Sequence, residues 1–66
     1  MNQITHDIIS EIEVNDIFEV DDMNRHNITY YISDYELFND YQKLTLSEQE
    51  EVVYDVRNYL YTVIDP

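Results

Sequence analysis

Chemistry in a protein needs side chains that can move a proton, attack a bond or hold an ion. This chain offers two histidines, 15 carboxylates and no cysteine. His6 and His26 have no partner histidine at helical spacing, and no H-E-x-x-H pattern occurs. His6 is followed by Asp7, but neighbours on a helix point apart. Both histidines read as surface residues. Ser10, Ser33 and Ser47 lie in no nucleophile elbow, and two of them read better as helix caps. Without cysteine there is no thiolate nucleophile or thiolate metal site. Without glycine there is no phosphate-cradling loop or dinucleotide fingerprint. The run Asp21-Asp22-Met23-Asn24 starts like a calcium loop. It lacks the glycine such a loop needs at its sixth position. The closing glutamate is also missing, because Ser33 is twelfth from Asp22 and Ile32 twelfth from Asp21. Paired carboxylates could do acid–base work only in a pocket with unequal environments. The reading is therefore of no enzyme, no metal site and no cofactor.

The carboxylates carry a different message. Three basic against 15 acidic residues give a net charge of -12, beyond the magnitude of about 2–8 usual for a small domain. Glu48, Glu51, Asp55 and Asn58 are spaced 3, 4 and 3 apart, a polar stripe along one helix. From Glu48 to Asp55 the stripe rises roughly 10 Å. Asp7 and Glu11 form a second i,i+4 pair, and Glu19, Asp21 and Asp22 cluster further on. These eight are the candidate acidic contacts; Glu50, Asp34, Glu36 and Asp40 are a second tier. Seven tyrosines accompany them. Tyrosine gives rigid apolar area with a polar tip and is enriched at interfaces. Tyr31, Tyr54, Tyr61 and Tyr35 are the candidate aromatic contacts, while Tyr41 and Tyr59 read as core.

Periodicity supplies the elements that must position these residues. Ile4, Ile8, Ile9 and Ile12 make an apolar helical stripe, predicting a helix over about 3–13 with Asn2 as cap. Residues 17–21 and 27–33 alternate with a period of two, predicting two strands joined by a polar loop at 22–26. Ser33 and Glu36 match a capping box, as do Ser47 and Glu50. They open predicted helices over about 34–44 and 48–63. The expected fold is thus α+β: one domain over residues 1–66, ordered helix, two-stranded antiparallel hairpin, helix, helix.

Composition then sorts the function classes. A hydrophobic fraction of 44% with 14% aromatic residues argues against a disordered acidic tail. The stretch MNQITHDIISEIEV has no basic region and no long apolar run, so it does not read as a signal peptide, and the setting reads as cytoplasmic. No stretch approaches the roughly 18 apolar residues of a membrane span. Anionic membranes and free nucleic acid should both repel the chain. Arg25, Lys43 and Arg57 are scattered and predict no phosphate-binding patch. In size, acidity and aromatic content the chain resembles the DNA-mimic inhibitors that phages and mobile elements direct against host restriction, CRISPR or repair enzymes. That resemblance rests on no motif, and it implies a basic nucleic-acid-binding protein as partner, bound in competition with nucleic acid. The alternative is an adaptor or antitoxin-like module that docks on a basic partner through its tyrosines. A homodimer would bury more of two thin cores, against the repulsion of two highly charged chains.

Overall fold

A computed structural model of the protein describes residues 2–12 and 20–64. Helix α1 spans Gln3–Glu11, α2 Tyr35–Gln42 and α3 Leu46–Ile64. Between α1 and α2 lie two short 3-10 helices, Val20–Asp22 and Asn27–Tyr31. No β-strand occurs among the described residues, so the domain is all-α and the predicted α+β architecture is overturned.

The predicted second strand, 27–33, shows why. A period of two would put Ile28, Tyr30 and Ile32 on one buried face. Instead Ile28 and Ile32 are buried while Tyr30 is 85% exposed. The burial follows the i,i+4 spacing of the two isoleucines, which a helical turn also satisfies. Local polar groups fix that turn. The Asn24 side-chain oxygen accepts from the backbone N–H of His26 at 2.9 Å and of Asn27 at 3.0 Å. The Asn27 side-chain oxygen accepts in return from Asn24 N–H at 2.7 Å. These side-chain bonds compete with a sheet ladder for the same backbone donors. Of the predicted first strand, Val20 and Asp21 belong to a 3-10 helix, and residues 17–19 lie outside the described residues.

Each long helix begins where a side chain can satisfy its free amides. Asn2 accepts from the N–H of Thr5 at 2.8 Å and from its hydroxyl at 3.0 Å, letting Thr5 lie fully buried. Asp34, not Ser33, caps α2 by accepting from Leu37 N–H at 2.9 Å. For α3 the predicted Ser47–Glu50 box is displaced by two residues. Thr45 N–H donates to Glu48 at 3.0 Å, and Glu48 N–H donates to the Thr45 hydroxyl at 3.2 Å. Thr45 and Glu48 satisfy the same pattern two residues earlier.

The helices share one core. Helix α1 packs against both α2 and α3, and Val20–Asp22 packs against α3. Ile8, Ile28, Tyr41, Val52, Val56 and Leu60 are at most 1% exposed, so every described element except the Val20–Asp22 turn contributes a fully buried side chain. Gln49, also buried, donates to the carbonyls of Tyr41 and Leu44 at 3.2 and 3.4 Å. It thereby ties the start of α3 to the carbonyls at and just past the end of α2.

Candidate interaction surfaces

Two grooves flank this core. The first, about 340 Å³, runs between α1 and α2. Asp7, Glu11, Asp34, Glu36 and Asp40 line it with Ser10 and Leu37, and no cation does. The helical periods of α1 and α2 bring these carboxylates together from segments about 25 residues apart in sequence.

They do not all face solvent on equal terms. Glu11 accepts from the backbone N–H of Ser33 at 2.9 Å and of Asp34 at 3.0 Å, bridging the end of α1 to the start of α2. With the Asp34 cap, it places negative charge at the positive end of α2, where helix dipole and free amides favour it. Asp7 accepts from the Gln3 side chain at 2.9 Å. Glu36 and Asp40 are exposed and make no hydrogen bond among the described residues.

The second groove, about 520 Å³, lies between α3 and the turn at 23–26. Met23 and Val53 lie at its base, both nearly buried. Tyr54, 66% exposed, stands at its side. Arg25, His26, Asn24, Glu50 and Arg57 supply its polar lining. Sequence spacing separates Arg25 from Arg57 by 32 positions and gives no hint that they meet. The fold places both on one groove, contrary to the scatter read from the sequence. The Tyr41 hydroxyl donates to the Arg25 carbonyl at 2.8 Å and so fixes the backbone there. Burial pushes the Tyr41 phenol up to about 12, against the opposing pull of the Arg25 charge.

The other candidate residues are dispersed. Glu48 is held in the α3 capping box, and its hydrogen bonds from the Thr45 backbone and hydroxyl lower its pKa. Glu51 is exposed on α3 and Asp55 half-buried. Asp21 accepts from the Tyr61 hydroxyl and lies 3.7 Å from Arg57. Asp22 is exposed on the 3-10 turn, and Glu19 lies outside the described residues. Of the tyrosines, Tyr35 and Tyr54 are open to solvent, whereas Tyr31 and Tyr61 pack partly against the core. Tyr30, 85% exposed, is the most exposed of the large hydrophobic side chains among the described residues. The assumed strand paired it with Ile28 and Ile32.

The phosphate-backbone mimic suggested by size and acidity assumes carboxylates carried from the helices across a β-hairpin. That surface is overturned. The described part of the segment holds 3-10 turns, and Asp21 there is occupied by Tyr61 and faced by Arg57. Among the described residues no group of three or more His, Cys, Asp or Glu is placed to hold a metal. No helix among them is long and apolar enough to cross a membrane. Set against known proteins, the chain matches no family model, no curated protein and no solved structure.

Proposed function

We propose that the chain is a binding domain, not an enzyme, that docks in the cytoplasm on a basic protein surface of the kind nucleic-acid-binding proteins present. One observation carries the reading: five carboxylates from two helices converge on one open groove with no cation in its lining. Like charges gathered in this way repel one another. An arginine or lysine side chain from a partner, laid along the groove, would relieve that repulsion. Glu36 and Asp40, free of internal bonds, are the contacts a partner would meet first. Tyr35, next to Glu36 in the first turn of α2 and 77% exposed, supplies apolar area on the same helix. Charge steers the encounter and the aromatic contact slows dissociation. Nucleic acid, which uses the same basic surface on the partner, competes.

The test is a pulldown from nuclease-treated lysate, with the partner then produced pure and titrated. The expected partner is basic, is released by salt and by added DNA, and loses at least about tenfold in affinity for the Glu36→Lys/Asp40→Lys double variant. A partner indifferent to salt, to DNA and to that double reversal would overturn the reading. A second reading has its own observation in the exposure of Tyr30 and Tyr35, 85% and 77%. It is the adaptor that binds through tyrosine, and there Tyr35→Ala would cost more affinity than the charge reversals. A homodimer belongs to the same reading, with mass in solution as its measurement.

A further inference from the structure

We propose that the groove between α3 and the 23–26 turn is a binding site for a compact organic monocarboxylate with an apolar body. Two of the three basic residues in a chain of net charge -12 line this one groove, and His26 joins them. Here Glu50 is the lining's one acidic member.

The state of Arg57 points the same way. Its Nε is buried and has no hydrogen-bond partner among the described residues. A buried donor without an acceptor is costly and uncommon. Its terminal nitrogen lies 3.7 Å from Asp21, an ionic contact too long for a hydrogen bond. The Asp21 carboxylate is engaged by the Tyr61 hydroxyl as well. The guanidinium fork thus has one ionic contact, to Asp21, and its Nε has no acceptor among the described residues. A planar carboxylate matches that fork with two parallel N–H···O bonds. A small rotation of the Arg57 side chain, which is 35% exposed, would bring Nε into such a pair.

The rest of the groove selects the body of the ligand. Met23 and Val53 offer an apolar base, and the Tyr54 ring offers a face for stacking. A volume of about 520 Å³ falls in the range of small-molecule sites. The surrounding charge selects against polyanions, because each added negative charge meets repulsion from the remainder of the surface. One carboxylate on a flat apolar body satisfies all of these terms.

The probe is phenylacetate, titrated into the ¹⁵N-labelled full chain, with phenylacetamide and phenethylammonium as neutral and cationic counterparts. The expected result is saturable shifts at the amides of Met23, His26, Val53 and Tyr54 and at the Arg57 side-chain N–H. The amide and the ammonium should bind about tenfold or more weakly, the loss of a charge-assisted pair. Arg25→Gln and Arg57→Gln should each weaken phenylacetate similarly, and Glu50→Gln should tighten it. Should Arg57→Gln fail to fold, Arg25→Gln and Glu50→Gln still give opposite predicted signs. Equal binding of acid and amide, or no saturable shift up to the solubility of phenylacetate, would overturn the proposal.

Discussion

The two grooves differ in how their charges are held, and that difference separates structural from available residues. Between α1 and α2 the charged groups are carboxylates, and three of the five accept hydrogen bonds from the chain itself: Glu11, Asp34 and Asp7. Beside α3 the cations lie on an apolar base, and one guanidinium donor is left without an acceptor. Acidity alone is therefore a poor guide to function in this chain. A carboxylate that receives hydrogen bonds from the chain holds the fold together. Glu36 and Asp40, which receive none among the described residues, are available to a partner.

The sharpest way to break the comparison acts on the second groove alone. Tyr41→Phe removes the hydrogen bond to the Arg25 carbonyl and should cost about 1–3 kcal/mol in chemical denaturation. It should shift amide resonances around Arg25 and His26 and leave those at Asp7 and Glu36 in place. The same phenol sets an alkaline limit. Its pKa is higher folded than unfolded, so its contribution is intact below pH 10 and fades as the pH climbs from 10 toward 12. In Tyr41→Phe that part of the alkaline loss should vanish.

The next effect divides the first groove internally. Glu11→Ala strips the amides of Ser33 and Asp34 of their acceptor and should cost about 0.5–2 kcal/mol, the range of a lost helix cap. Glu36→Ala, with no internal bond to lose, should stay within about 0.5 kcal/mol of the parent. Equal costs would erase the distinction between held and available carboxylates.

The smallest effect belongs to a carboxylate outside both grooves. Glu48 has a lowered pKa in the folded state, so its contribution is complete above the ordinary value of 4.5 and is lost as the pH falls through the lower folded value. Glu48→Gln keeps an acceptor for Thr45 N–H without the charge. Its denaturation midpoint should fall less steeply with acid than that of the parent.

The helices were legible because their apolar stripes are long and their caps local. The predicted 3–13, 34–44 and 48–63 correspond to Gln3–Glu11, Tyr35–Gln42 and Leu46–Ile64. The hairpin was misread because Ile28, Tyr30 and Ile32 fit a period of two as well as a four-residue spacing fits the two isoleucines. Burial of Ile28 and Ile32 against the helices decided between them, and a five-residue window holds no trace of that. Ser47 and Thr45 both open an S/T-x-x-E pattern, and sequence offers no way to rank them. The placing of Arg25 and Arg57 on one groove and the bridge from Glu11 to Ser33 are long-range facts. They depend on how helices pack, and no local pattern encodes them.

The described backbone turns each of its corners without glycine and without a residue in the left-handed region. The consequence lies in the denatured chain. Glycine widens the set of conformations an unfolded chain explores, and folding must then give up that freedom. A chain lacking it starts from a narrower ensemble and loses less entropy on ordering. For a 66-residue protein whose own charge pushes it apart, this is stabilisation written into the sequence before any contact forms.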